Sequence, residues 1–414
     1  MLAPLLATLA LVWISGDRLV VRTSTLGDDV VLAGAAVGLA IGFKYTAGLV
    51  LLVPALALVL PLLADRRRER LRTAALGALA VAGGTFATFF VTNPFFFLDL
   101  DSALHQLRGQ AQLAGEQDKF GQESDTGPLY YLDSLLWGLG YVAAACAAGG
   151  AVLLARNHRV RLALLLVFPV ALFLYLSVQS RFFGRWLLPV YPMLALLAGY
   201  AFVRGLDALR ARRPALQWPA VAVGAAVLLW QPLAADARSM AVLGNADTRA
   251  IARQWLAQHY PRELRIVIEP AVPERYYWPV RDGRPEKLER AQFVNDVIRD
   301  IREDHVEYGR TLRAGVLDSY RRDGYCMVMT FDLIRGRAVA AGDRRALAYY
   351  DRLERESDLV YAISPYRSDE DPPEFSFDLS YSYYSPAYER PGPDVRVYRL
   401  HDCTQRYGPR EPRA

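Results

Sequence analysis

The stretch Leu49-Val50-Leu51-Leu52-Val53-Pro54-Ala55-Leu56-Ala57-Leu58-Val59-Leu60-Pro61-Leu62-Leu63-Ala64 runs straight into Asp65-Arg66-Arg67-Arg68-Glu69-Arg70-Leu71-Arg72. The apolar run from Thr46 to Ala64 is close to the roughly 20 residues a helix needs to cross a bilayer, and arginine crowds against its end. Positive charge collects in short cytoplasmic loops, so the junction reads as a membrane exit on the cytoplasmic side. The pattern recurs along the chain. Apolar stretches at Leu2–Ile14, Val30–Phe43, Thr46–Ala64, Thr73–Val91, Leu132–Ala155, Leu162–Val178, Trp186–Val203 and Trp218–Leu233 give seven or eight membrane segments. Val30–Phe43, at about 1.5 Å per residue, reaches only about 21 Å and reads as a half-helix or a re-entrant segment.

Arginine also gathers at Arg156–Arg161 and at Arg204–Arg213, whereas the alternate loops are poor in it. Phe95–Thr126 carries only Arg108 and Lys119, and the loop after Val178 only Arg181 and Arg185. This alternation assigns residues 1–234 to a transmembrane helical domain with an outer loop at 92–128. Residues 235–414 then form an extracytoplasmic domain, which places the protein in a cell (inner) membrane as a multi-pass protein. Counted backwards, Leu2–Ile14 would start outside and run inward over too short a length. The chain is therefore expected to be an N-terminally truncated piece of a longer polytopic protein. The net charge of +5 does not point to nucleic acid, because the basic residues are spread through loops beside membrane segments.

The tail reads as α/β. Asp247 is placed to cap a helix through Ala250–Leu256. β-Branched runs at Arg265–Glu269, Tyr325–Phe331, Leu359–Ile363 and Val395–Leu400 predict strands, with helical patterns near Pro285–Arg302 and Asp343–Glu356 between them. A small, partly parallel sheet with helices follows, and Pro365–Pro391 reads as a long loop. Cys326 and Cys403 both lie in this outer domain, where an oxidising compartment permits a disulfide or leaves two free thiols. In the outer loop, Leu100, Leu104, Leu107 and Ala111 recur at helical spacing, as a helix lying on the membrane surface requires.

A charged group at membrane depth is costly, by roughly 2.5–3.5 kcal/mol on insertion scales, and usually faces a cavity or a partner. Arg181 and Arg185 stand beside Phe182, Phe183 and Trp186 on the side where positive charge is disfavoured for orientation. They read as a site for an anionic headgroup rather than as interfacial anchors, since a guanidinium pairs bidentately with phosphate. Lys44 interrupts another apolar stretch on the same side and reads as a phosphate contact, against the alternative of a lysine snorkelling to the interface. Tyr45, Asn93, His105 and Asp133 complete the candidate cavity. His105 is open to reading as a plain surface histidine, and Asp133 as a cation partner or an interfacial residue. The chain carries no phosphate loop, no His-Glu-x-x-His, no Gly-x-Ser-x-Gly and no zinc-spaced cysteine pair, so no metal site is expected.

Four blocks together resemble the GT-C-type membrane glycosyltransferases, the superfamily of protein O-mannosyltransferases and lipid A aminoarabinose transferases. They are Ala33–Tyr45, an apolar Gly-rich run ending in Lys-Tyr; Thr92-Asn93-Pro94 before a long outer loop; Arg185-Trp186-Leu187-Leu188-Pro189-Val190-Tyr191-Pro192; and Asp247–Trp255 at the start of an outer domain. The resemblance implies a GT-C-like helical bundle that transfers a sugar from a polyprenyl-phosphate-linked donor to an acceptor at the outer face. The acceptor is open between protein, lipid and glycan. Lys44, Arg181 and Arg185 match the lipid-phosphate-binding role. No organic cofactor is implied, and a divalent metal is left open. The family's acidic general base lies in its first outer loop, which would precede Met1, and no acid in this chain matches it. A transporter or flippase of lipid-linked anions, or a non-enzymatic envelope-binding anchor, are the other readings, although no repeated helical halves support the former.

Overall fold

In the computed structural model the described residues are 26–64, 67–115, 126–261, 264–269, 280–281, 284–285, 312–373, 375 and 384–407. The stretch Leu2–Ile14 and the helical pattern near Pro285–Arg302 lie outside them, apart from Pro285 itself. The chain divides into two compact units, one formed by residues 1–117 and 125–233, the other by 118–124 and 234–414.

The first unit is helical: α1 (Leu26–Phe43), α2 (Leu52–Ala64), α3 (Arg68–Thr92), α4 (Pro94–Leu98), α5 (Leu100–Gly115), α6 (Gly127–Leu139), α7 (Tyr141–Asn157), α8 (Arg159–Ser177) and α9 (Tyr191–Arg212), followed by α10 (Gln217–Leu243). Short 3-10 helices at Tyr45–Leu51 and Gly184–Val190 lead into α2 and α9. Among the described residues, Tyr45–Leu63, Arg68–Thr92, Arg159–Ser177, Gly184–Arg212 and Pro214–His259 are long and apolar enough to cross a membrane, while Val30–Phe43 is shorter.

Helices α1 and α3 run parallel with almost no side chain between them. A Cβ on Gly34 would lie 2.5 Å from the Val81 carbonyl, and Thr85 Oγ1 instead donates to Gly34 O at 3.0 Å. Lipid tails give helices little hydrophobic reason to associate, so close backbone approach at small residues does that work. Phe168, Leu172, Leu187 and Met193 of α8, α9 and the preceding 3-10 helix fill the bundle core with Val37 and Tyr131.

One expectation is corrected. The apolar run Leu132–Ala155 is not a single segment but the pair α6 and α7, bent by 103° at Gly140. Gly140 has φ +92, a conformation that side-chain-bearing residues resist. The break is satisfied by Gln231 of α10, whose Oε1 accepts from Tyr141 N at 3.0 Å and whose Nε2 donates to Trp137 O at 3.2 Å. Irregular backbone within an apolar layer persists only where such partners exist. Helix α6 thus lies across the end of the bundle where α8 stops and α9 starts. Tyr130 and Tyr131 meet Phe182, and Tyr191 Oη donates to Ser134 O at 2.9 Å.

The second unit holds α11 (Thr248–His259), β1 (Ile266–Ile268), a two-residue hairpin of β2 (Val280–Arg281) and β3 (Arg284–Pro285), α12 (Val316–Asp323), β4 (Met327–Phe331), α13 (Asp332–Ala340), α14 (Arg344–Arg355), β5 (Ser357–Ile363) and β6 (Val395–Leu400). Pro285 therefore sits in a strand, not at the start of a helix. The four-stranded sheet has the order β1-β4-β6-β5, with β1 and β4 parallel and the other pairs antiparallel. β4, Met-Val-Met-Thr-Phe, is buried along its whole length because helices cover both faces. Leu317, Tyr320, Tyr349 and Leu353 of α12 and α14 pack on Val328, and Ala252 of α11 packs with Ile266, Met327 and Val397 on the opposite face. Asp343 caps α14 by accepting from Arg345 N and Ala346 N, and Asp247 caps α11 by accepting from Arg249 N. Cys326 and Cys403 are joined in a disulfide with Cα atoms 5.5 Å apart.

Candidate functional site

The chain leaves α1 at Phe43 and turns through an extended Lys44 into the 3-10 helix Tyr45–Leu51. Lys44 N donates to Ala40 O at 3.1 Å, and its carbonyl accepts from Ala47 N at 2.9 Å, so the backbone is fixed on both sides of the lysine. The end of α3 packs against this turn. A Cβ on Gly42 would lie 2.5 Å from Asn93 Nδ2, which instead donates to Thr92 Oγ1 at 2.9 Å. Tyr45 makes ring contacts with Phe89 and Phe96 at 6.5 and 6.0 Å. Two of the predicted cavity residues, Tyr45 and Asn93, therefore stand with Lys44.

The second cation arrives by the same device. Phe183 is extended, as Lys44 is, and the 3-10 helix Gly184–Val190 follows it, with Arg185 as its second residue. Arg185 is exposed, with Cζ 4.5 Å from the centroid of the Phe183 ring. Phe183 packs on Trp186 at 4.9 Å, and Lys44 Nζ stands 5.9 Å from the Trp186 ring. Lys44 and Arg185 thus share one pair of aromatic rings, and Arg185 is close enough for its charge to act on the ammonium. Each cation–ring contact stabilises by about 0.5–1 kcal/mol at an exposed position. Two like charges held together by rings repel, and an anion between them would turn that repulsion into attraction.

Arg181 lies half-buried in the loop before this pair, with its backbone N–H donating to Ala114 O at 3.2 Å. Asp133 is exposed on α6, one turn beyond Tyr130. His105 is exposed on α5, and no hydrogen bond or ring contact among the described residues joins it to the Lys44 cluster. Among the described residues no group of three His, Cys, Asp or Glu side chains is arranged to hold a metal. The site is cationic and aromatic, a donor set suited to an anion. Sequence reasoning named Trp186 only as a flank and did not name Tyr130, Tyr131 or Gln231. The tyrosine pair at a helix start was the one signal for the former two.

Residues 1–180 match the sequence profile of Glycosyltransferase family 87. No curated protein matches the chain significantly. The family 87 match takes in Lys44, Tyr45, Asn93, His105 and Asp133 and ends at Ser180, just before the two arginines. Together with the five or six candidate spans among the described residues it supports a multi-pass membrane glycosyltransferase with a sugar donor and an acceptor.

A different polar cluster lies in the second unit. Glu269, 3% exposed at the end of β1, accepts from Phe331 N at 2.8 Å and from Tyr350 Oη at 2.7 Å. Burial pushes its carboxyl up to about 8 despite those hydrogen bonds, and burial also raises Asp332 to about 6.

Proposed function

We propose that the protein transfers a sugar from a polyprenyl-phosphate-linked donor to an acceptor at the outer face of the membrane, with Lys44, Arg185 and Arg181 holding the donor phosphate. The observation that carries this is the convergence of Lys44 and Arg185 on the Phe183–Trp186 ring pair, with no carboxylate paired to either among the described residues. The family 87 match supports the glycosyl-transfer class independently of those arginines.

In such a transfer the acceptor oxygen bonds to the anomeric carbon as the bond from that carbon to the phosphate oxygen breaks. The acceptor proton passes to a carboxylate, and the electron pair leaves with the polyprenyl phosphate. Cations fixed beside the departing oxygen stabilise the charge that develops there. Lys44 and Arg185 supply this half of the chemistry. Their backbones are held before the substrate arrives, so little reorganisation is needed. The outer-face assignment is supported by charge, since Arg159 and Arg161, and Arg210, Arg212 and Arg213, flank the opposite ends of α8 and α9. The Cys326–Cys403 disulfide fits an oxidising compartment for the second unit.

The test is binding of undecaprenyl phosphate to the full chain in lipid nanodiscs. Arg185→Ala and Lys44→Ala are each expected to weaken binding at least about tenfold, the loss of one charge-assisted contact. Unchanged affinity in both variants, with unchanged melting temperature, would overturn the donor-site reading.

A further inference from the structure

The loop that carries the arginines has no regular structure between α8 and Gly184, yet its polar backbone atoms are held from two sides. Ser180 N and Arg181 N donate to Ala114 O at 2.9 and 3.2 Å, and Ser180 Oγ donates to Gly115 O at 2.9 Å, all at the last turn of α5. From the other side, Gly184 N donates to Tyr130 Oη at 3.0 Å and Phe183 N to Tyr131 Oη at 3.3 Å, at the first turns of α6. Between these clamps Phe182 is buried, its ring 5.4 Å from Tyr130 and 6.0 Å from Tyr131. Tyr131 is itself fully buried. Helix α6 is pinned at its far end by Gln231, so it acts as a beam fixed at both ends rather than as a loop-borne turn.

Gly184, whose N–H Tyr130 holds, immediately precedes Arg185. Phe183, whose N–H Tyr131 holds, is the ring on which Arg185 lies. We infer that Tyr130 and Tyr131 are positioning residues for the cation site: their hydroxyls set the distance between Arg185 and Lys44 and hence the fit of a phosphate between them. Neither tyrosine need touch the phosphate. The hydroxyls act through the backbone, and a displaced Gly184 would let Arg185 drift from the shared ring pair. Removing one such neutral hydrogen bond changes binding by about three- to tenfold if the bound geometry depends on it.

The inference rests on the donor-site reading, and the experiment separates the two. Binding of undecaprenyl phosphate and of the uncharged alcohol undecaprenol is measured for the wild type, Arg185→Ala, Tyr130→Phe and Tyr131→Phe, in the full chain in nanodiscs, with melting temperatures alongside. The Phe variants keep the rings on Phe182 and remove the hydroxyls that accept from Gly184 N and Phe183 N. The expected result is a three- to tenfold loss of phosphate affinity in Tyr130→Phe, a smaller loss in Tyr131→Phe, and unchanged binding of the alcohol. If Arg185→Ala weakens phosphate binding and neither Phe variant does, the positioning role is wrong while the donor site stands. If the Phe variants lose the alcohol and the phosphate equally, their role is structural and the inference is overturned. If Arg185→Ala has no effect on the phosphate, the donor-site reading fails and the positioning role falls with it.

Discussion

Arginine ends differently in the two units. In the second unit, Arg352 lies bidentate on Asp318 at 2.7 and 2.9 Å and reaches Glu356 at 2.8 Å, and Arg321 joins the same two acids. Asp318 and Glu356 are both held below the usual carboxylate range, chiefly by hydrogen bonds from Arg352. In the first unit, Lys44 and Arg185 end on rings. A guanidinium matched to carboxylates is consumed by the fold. One left on an aromatic face, beside a second cation, keeps its capacity for an anion and is tolerated because the rings offset part of the repulsion.

The two units differ most where covalent structure is involved. The Cys326–Cys403 bridge joins residues 77 apart in sequence, for which chain entropy predicts about 4.5 kcal/mol of stabilisation. Cys403→Ser is expected to lower the melting temperature of the second unit strongly, read by calorimetry on the full chain, while undecaprenyl phosphate affinity stays within about twofold. Loss of both together would show that the cation site depends on the second unit. Next in size is reversal of charge at the ring pair. Arg185→Glu places a carboxylate where an anion should bind, and affinity for undecaprenyl phosphate should fall by at least about 100-fold. Arg352→Glu should leave that affinity unchanged.

Glu269 differs from the paired acids Asp318 and Glu356: it is buried, and among the described residues it forms no salt bridge. It faces Phe331 N and Tyr350 Oη directly, with Arg335, Asp332, Tyr320 and Tyr349 around it. Its folded pKa, about 8, lies above its ordinary value of 4.5, so between these pH values the folded state holds a proton that the unfolded state has lost. Stability from this group is full below about pH 4.5 and is lost as pH rises through 8, with a slope of at most about 1.4 kcal/mol per pH unit. Asp332, raised to about 6, adds to the loss in the same sense over the lower part of the range. Thermal melts of the full chain from pH 5 to 8.5 should show the second unit weakening. Glu269→Gln should flatten that slope, and an unchanged slope would remove Glu269 as its source.

Much of the second unit was legible because its signals are local. The four β-branched runs became β1, β4, β5 and β6, and Asp247 and Asp343 mark helix starts in a way that one residue and its next turn determine. The first unit was legible as apolar segments and arginine loops, which depend on composition. What escaped depends on residues far apart in sequence. The break at Gly140 needs Gln231, 90 residues beyond Tyr141, to satisfy the exposed backbone, and an apolar run with an interior glycine does not announce it. Lys44 and Arg185 were each visible as costly charges, but their meeting over Phe183 and Trp186 is set by tertiary packing. Tyr130 and Tyr131 fall between the outer loop and the apolar run that starts at Leu132, and only their contacts with a loop more than 50 residues away give their hydroxyls a role.

Arg352→Gln keeps length and polarity but leaves Asp318 and Glu356 with Arg321 alone. These side chains are partly exposed, with Arg352 at 23% and Asp318 at 48%, so solvent screening limits the loss to about 1 kcal/mol. The loss should shrink further in salt well above physiological, where the Debye length approaches about 3 Å. Arg185→Gln is the matched change in the first unit. Among the described residues it breaks no ion pair, and relief of the repulsion with Lys44 offsets the lost ring contact, so melting temperature should change less than in Arg352→Gln at every salt concentration, with the main effect appearing when undecaprenyl phosphate is present. If Arg185→Gln instead destabilises the protein as much as Arg352→Gln does, Arg185 is a structural anchor in the aromatic belt, and the difference between the two arginines is one of partner rather than of purpose.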